Sequence, residues 1–326
     1  MTYVIHDLLA VHRQKGLEPD PTSKLEFALL EAYEGEDVYN PAAPFEWKGQ
    51  AWLLARMEAR DSEFSHVGFF QPADAYTSLA EIKRWRQVEV IELPLQDPFV
   101  TVVGDELIVG GVEVTERAGR EGLDYRTVFY RGRELAELEA FAAGPWGMKD
   151  LRLKELPDGR ILLLTRPQGE VGGRGTIGWC LLDSLEELHE EAIAGATLLQ
   201  DQFIPEEWGG GKEMHILDQE RVGVLAHIAR FDDEGNRHYY AAVFTLNHQT
   251  GSVSPLAIIA ERGDFAPGPS KRPDLADVVF SGGLLRDRDG TSMLYCGIAD
   301  CEVHARRIED PFYGEETTSN DEGYRR

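Results

Sequence analysis

Five times along the chain, a short polar cluster opens a run that reads as a β-hairpin. The clusters are Tyr39-Asn40-Pro41, Gln96-Asp97-Pro98, Met148-Lys149-Asp150, Glu207-Trp208-Gly209-Gly210 and Arg272-Pro273-Asp274. The steps from Asn40 to Asp97, Asp150, Glu207 and Asp274 are 57, 53, 57 and 67 residues. A small β unit cannot protect its own sheet edges, and radial repetition of similar units is one way to do so. Four-stranded propeller blades recur at roughly 40–50 residues, so these units read as slightly long blades. The expectation is an all-β fold, a five-bladed β-propeller over residues 37–314. Spacing alone leaves a β-sandwich with evenly placed polar turns as the alternative.

Turn signals support the hairpins. Gly104-Asp105 divides Val100–Val103 from the run beginning at Glu106. Asp158-Gly159, Glu234-Gly235 and Asp289-Gly290 divide apolar runs in the same way. Two stretches break the pattern. In residues 1–36, Asp7–His12 and Ser23–Leu30 have helical spacing, separated by Pro19 and Pro21, and read as a short helical or irregular extension packed on the main domain. Ser184–Leu199 reads as one helix opened by a near capping box. Residues 315–326 lack large aliphatics and read as a flexible tail.

Charge restricts partners. Lys and Arg number 33 against 58 Asp and Glu, a net charge of −25. Such a surface repels nucleic acid and anionic membranes, so neither is an expected partner. The N-terminus carries no basic segment ahead of an apolar run, and no apolar stretch is long enough to span a bilayer. Cys180, Cys296 and Cys301 are odd in number and lack metal-like spacing. A cytoplasmic protein without a bound metal or organic cofactor is expected; the sequence leaves a homo-oligomer open.

In a propeller the innermost strands all start at one face of the central channel, so the five clusters converge. They bring the carboxylates Asp97, Asp150, Glu207 and Asp274 together with Arg56, Lys149, Arg152, Arg166, His227, Lys271 and Arg272. An acidic chain that gathers bases beside carboxylates has the parts for acid catalysis and for holding a phosphate or carboxylate. Gly172–Gly178 is glycine-rich but joins no strand to a helix in a βαβ unit, and no Gly-x-Ser-x-Gly turn occurs.

The ordered set Asp37-Val-Tyr-Asn-Pro, Ala55-Arg-Met-Glu-Ala-Arg-Asp-Ser-Glu, Gln96-Asp-Pro-Phe, Gly147-Met-Lys-Asp-Leu-Arg, Thr165-Arg-Pro-Gln-Gly, Glu207-Trp-Gly-Gly, Ala226-His-Ile-Ala and Lys271-Arg-Pro-Asp resembles the mannosyltransferase–phosphorylase family, glycosyltransferase family 108, formerly a domain of unknown function. It is more distantly similar to the mannoside phosphorylases of glycoside hydrolase family 130. The resemblance implies an inverting enzyme on β-mannosides, typically β-1,2-linked, that interconverts oligomannoside plus phosphate with α-mannose 1-phosphate. Some members of the family use a nucleotide donor. Its expected partners are a mannose-containing oligosaccharide and phosphate or mannose 1-phosphate, with phosphate as co-substrate.

The same resemblance assigns roles. Asp97 resembles the catalytic acid. Asn40, Arg56, Asp150, Glu207, Trp208, Arg272 and Asp274 are the expected sugar-binding residues, Trp208 by stacking; an Asp274–Arg272 ion pair is the plainer reading of Asp274. Arg152 and Arg166, with Lys149 and His227, are the expected phosphate ligands. Two other function classes stay open: an inverting glycosidase with Asp150 as its base, and a non-catalytic sugar-binding propeller.

Overall fold

The structure, a computed structural model, describes residues 4–117, 119 and 121–314. The chain is laid down as successive antiparallel meanders. The first comprises Asp37–Tyr39, Gln50–Glu58, His66–Pro72 and Arg84–Val88. Gln96–Val103, Glu106–Glu116, Leu123–Gly132 and Glu139–Ala143 form the second. Arg152–Glu155, Ile161–Thr165, Gly178–Leu182 and Thr197–Leu198 form the third. The fourth has Glu207–Ile216, Arg221–Phe231, Arg237–Asn247 and Ala257–Ala260, and the fifth has Asp277–Arg286, Thr291–Ile298 and Glu302–Glu309. A two-residue parallel pairing, His238 with Asp277 and Tyr239 with Val278, joins the fourth sheet to the fifth. All four turn signals named above fall between paired strands.

The apolar core lies between the meanders. Trp52, Leu54 and Phe69 of the first pack with Leu107 and Val109 of the second. Ile108 and Phe129 of the second meet Leu153, Ile161 and Leu163 of the third. Leu162 and Leu164 face Val222, Val224 and Phe244 of the fourth, and Leu225 and Val243 face Val279 and Leu294 of the fifth. The fifth returns to the first, where Tyr295, Val303 and Ala305 pack on Leu53, Ala55 and Phe70. Apolar residues on both faces of each meander therefore close the sheets into a ring, and the polar strand openings remain at its mouth.

Residues 5–30 follow the sequence reading in their first half and depart from it in the second. Ile5–Arg13 is helical as expected and buries Ile5, Leu8, Leu9 and His12 against the fourth meander, beside Leu256 and Ile258. Ser23–Leu30 is not a helix. Ser23 and Leu25 are buried while Lys24 and Glu26 are exposed, a period of two that suits a strand. Leu25 N–H donates to the Val303 carbonyl at 2.9 Å, and Ala305 N–H donates to that of Ser23 at 2.7 Å, so this segment covers the open edge of the fifth sheet. Glu26–Ala28 then runs parallel to Arg84–Val88 at the edge of the first. Ser184–Leu199 is also not one helix. It holds a single 3₁₀ turn at Leu185–Glu187 and a short helix, Glu190–Ala194, before the strand Thr197–Leu198. Leu185, Leu188, Ile193 and Leu199 are buried, and the short helix ends at its C-cap Gly195. The expected tail, 315–326, lies outside the described residues.

Candidate active site

Three strand ends share a backbone feature, Asn40 at the close of Asp37–Tyr39 rather than at the expected opening, Asp97 and Asp150 at the starts of Gln96–Val103 and Arg152–Glu155. Asn40, Asp97 and Asp150 have φ of 47°, 50° and 64°. Asn and Asp tolerate this left-handed region best, and such strain concentrates at functional sites. All three side chains are buried, and they turn into one cleft of about 210 Å³. The cleft has two unlike walls.

On the first wall, Asn40 Nδ2 donates to Asp97 Oδ1 at 2.8 Å, and Arg56 Nη1 lies 3.4 Å from the same oxygen. The remaining donors of Arg56 are taken from behind: Nε donates to Ser65 Oγ at 2.7 Å and Nη2 to Glu58 Oε2 at 2.8 Å. Burial alone would raise the Asp97 carboxyl, but Arg56, Lys212, Lys149 and the Asn40 amide together hold it below the usual carboxylate range. Asp300, on the turn after Thr291–Ile298 and also left-handed at φ 53°, completes this wall. Burial, reinforced by the Asp97 charge, pushes Asp300 upward. Gly297 makes room for Asn40: a Cβ there would fall 1.9 Å from Asn40 Oδ1.

On the second wall stand Lys149, Asp150, Arg166, Lys212 and His227. Lys212 Nζ donates to Asp150 Oδ1 at 2.5 Å, and Arg166 Nη1 is 3.4 Å from Asp150 Oδ2. Burial would raise Asp150, but the Lys212, Arg166 and Arg152 cations keep it well below the usual range. Burial drives Lys212 down to about 8 despite Asp150. Burial and the neighbouring cations keep His227 neutral, stacked 5.4 Å from the Tyr239 ring. Arg166 is fixed by one bond, Nε to the Gly209 carbonyl at 2.9 Å. Its Nη1, Asp150 Oδ2 and His227 Nδ1 are buried without a hydrogen-bond partner. Gly210 floors this wall: a Cβ would come within 2.8–2.9 Å of Arg166, Asp150 and His227 together.

The structure brings most of the expected site residues to the cleft and places four elsewhere. Asn40, Arg56, Asp97, Lys149, Asp150, Arg166, His227 and Arg272 line it. Arg152 sits behind Asp150, its guanidinium donating to the Lys212 and Leu151 carbonyls at 2.9 Å each and lying 4.2 Å over the Phe99 ring. Glu207 points outward and accepts the Ile5 N–H at 2.9 Å, at the first turn of the N-terminal helix. Trp208 is buried against Phe231 and Tyr239. Asp274 pairs with Arg237 and with Arg272 at 3.2 Å, behind the rim that those two arginines form with Glu63.

Sequence reasoning did not single out Lys212 or Asp300. Lys212 follows Gly209-Gly210-Gly211, where the strand register slips between Gly211 and Glu213. Three glycines before a lysine in a strand are the available signal of a bulge that re-aims a side chain. Asp300 looks like any turn aspartate, and no local signal marks it. Among the described residues no group of three or more His, Cys, Asp or Glu side chains is placed to hold a metal ion.

Residues 17–314 match the model of a family described as protein of unknown function, DUF1861. The chain belongs to this family. It is 31% identical to a mannose phosphorylase, MPT-4 of Leishmania mexicana, whose structure holds a phosphate ion; the likeness covers 97% of this chain and 96% of that one, with a TM-score of 0.85. It is 29% identical to MPT-1, a GDP-Man-dependent mannosyltransferase from the same organism, over 90% of both chains with a TM-score of 0.78. The family resemblance read from the ordered motifs therefore holds. A curated 4-O-β-D-mannosyl-D-glucose phosphorylase of Bacteroides fragilis is 30% identical over 158 residues, 46% of this chain but 39% of that protein. A β-1,2-mannobiose phosphorylase from Listeria innocua, 15% identical with a TM-score of 0.56 over 86% of this chain and 92% of that one, shares the fold. The all-β, propeller-type architecture is common to these neighbours.

Proposed function

We propose that this protein is an inverting mannoside phosphorylase built on a five-bladed propeller, each meander being one blade. The observation that carries the reading is the second wall: a buried, only partly paired cationic surface facing Asp97 across one cleft, in a chain of net charge −25. Lys149, Arg166 and Lys212 bring three positive charges to this wall against the single negative charge of Asp150, and an anion is the partner that suits the excess. Phosphate fits Arg166, Lys149 and Lys212, with His227 beside them. The mannose lies between Asn40, Arg56, Asp97 and Asp300.

The chemistry follows from that placement. A phosphate oxygen attacks C1 of the mannose while the bond from C1 to the glycosidic oxygen breaks on the opposite face. The departing oxygen takes a proton from Asp97, directly or through the sugar's 3-hydroxyl. The field of Arg56, Lys212 and Lys149 favours the ionised form of Asp97. A phosphate dianion offsets that field, so the acid takes up its proton as the co-substrate binds. β-1,2-Linked mannosides are the substrate that the family resemblance implies. The hydrolase reading needs a carboxylate base. Asp150, its candidate, is bonded to Lys212 and held far below the usual range, which makes it a weak base.

The reverse reaction tests this reading. With mannose as acceptor, α-mannose 1-phosphate should release inorganic phosphate and yield a mannobiose, and β-mannose 1-phosphate should be inert. Failure of both phosphates, with transfer from GDP-mannose instead, would replace the phosphorylase by a nucleotide-dependent mannosyltransferase.

A further inference from the structure

Behind Arg56 lies a carboxylate that the proposed reaction does not use. Glu58 is 1% exposed, at the end of the strand Gln50–Glu58. Its Oε1 accepts from Tyr39 Oη and from Lys271 Nζ; its Oε2 accepts from Arg56 Nη2 at 2.8 Å and from Ser65 Oγ. Four donors thus fill one buried carboxylate, and two of them are cations. They come from the first strand of the first meander, from its second strand, from the connection that follows, and from the opening of the fifth. Arg56 is gripped on three sides: Nε by Ser65, Nη2 by Glu58, and its face over the Tyr39 ring at 4.9 Å. Only Nη1 is left to reach Asp97.

We propose that Glu58 is a positioning residue for the reacting carboxyl: it fixes Arg56 and Lys271 and takes up part of their charge, and so sets the field in which Asp97 carries its proton. Glu58 does not reach the cleft, and it acts through Arg56. The groups that act on Asp97 are Arg56 and Asn40 from the first meander, Lys149 and Arg152 from the third, Lys212 from the fourth and Asp300 from the fifth. Glu63 lies 3.7 Å from Arg56 at the rim. Of these, Arg56 alone is bonded to Glu58, so a change at Glu58 reaches Asp97 through that arginine and through space. The sign follows. Glu58→Gln removes a negative charge and leaves Arg56 and Lys271 uncompensated, which favours the ionised form of Asp97.

The consequence for turnover rests on the phosphorylase reading; the titration of Asp97 does not. The test is therefore ¹³C NMR of aspartate-labelled protein, with the Asp97 resonance assigned by its loss in Asp97→Asn. In folded Glu58→Gln, Asp97 should titrate lower than in wild type by on the order of one pH unit, the scale on which a neighbouring charge moves a carboxyl. Glu58→Asp, which keeps the charge, should restore the wild-type titration. If Glu58→Gln does not fold, Lys271→Gln serves: removing that cation leaves Glu58 to Arg56 and should move Asp97 upward. In the kinetic arm, the alkaline limb of kcat/KM should move to lower pH in Glu58→Gln. An Asp97 titration unchanged in folded Glu58→Gln, or unchanged in Lys271→Gln, overturns the proposal. Absence of phosphorolysis in wild type, with the titration shifts present, overturns the phosphorylase reading and leaves the role of Glu58 intact.

Discussion

The two walls of the cleft handle charge in opposite ways. On the first, Arg56 spends its donors on Ser65, Glu58 and Asp97, and the Asn40 amide donates to Asp97. On the second, Arg166 Nη1, His227 Nδ1 and Asp150 Oδ2 are buried and without hydrogen bonds. Apart from Asn40 Oδ1, which is buried without a hydrogen-bond partner, the polar atoms of Asn40 and Arg56 on the first wall are bonded, and such a network is rigid and holds a proton donor in a defined field. An under-satisfied one is costly until something fills it. With Lys149, Arg166 and Lys212 set against the single carboxylate of Asp150, the second wall suits capture of an anion, while the first suits proton transfer, and each can be broken separately.

The largest effect is expected at the first wall. Asp97→Asn keeps the shape and removes the proton, and loss of a general acid costs about 10²–10⁴ in rate. Turnover of an unactivated mannoside should fall by that order with unfolding unchanged; near-normal turnover would move the acid elsewhere. At the second wall, Arg166→Ala removes a charge-assisted contact worth roughly 1.5–3 kcal/mol. The KM for phosphate should rise about tenfold to a hundredfold while that for the mannoside changes much less. Gly210→Ala places a Cβ against Arg166, Asp150 and His227 at once, and phosphate kinetics should suffer before sugar kinetics do.

A pH series sharpens the same contrast. Lys212, lowered by burial to about 8, is charged below that pH and neutral above it. Since the neutral form cannot pair with an anion, the KM for phosphate should climb as pH passes about 8. In Lys212→Met that dependence should disappear; a rise that survives the substitution assigns it to another group. The smallest effect belongs outside both walls. Glu207→Ala removes the acceptor of the Ile5 N–H at the start of the helix, a capping contact of about 0.5–2 kcal/mol. Calorimetry should show a lower Tm with kinetic constants unchanged.

Much of the fold was legible because strand openings and turns are local. The four Gly-containing turn dipeptides all mark hairpins, and four of the five polar clusters open or precede a meander's first strand, while Tyr39-Asn40-Pro41 closes the strand Asp37–Tyr39. The helix expected over Ser23–Leu30 was misread because Leu25, Phe27 and Leu29 fit a period of two as well as a helical face, and only the open edge of the fifth sheet decides between them. At the site, sequence position shows which residues lie near the mouth but not which way they turn. Arg152 and Arg166 are alike in sequence, yet Arg152 is spent on two carbonyls and Phe99 while Arg166 opens into the cleft. Lys212 escaped notice because its aim depends on a bulge, and Asp300 because its partners lie on other meanders.

The most direct test is the phosphate dependence of mannoside cleavage by the wild-type protein. With β-1,2-mannobiose held fixed, the initial rate should rise hyperbolically from near zero as phosphate is added, and α-mannose 1-phosphate should account for the cleaved sugar. Release of free mannose at a rate indifferent to phosphate would contradict the account and give the cleft to a hydrolase.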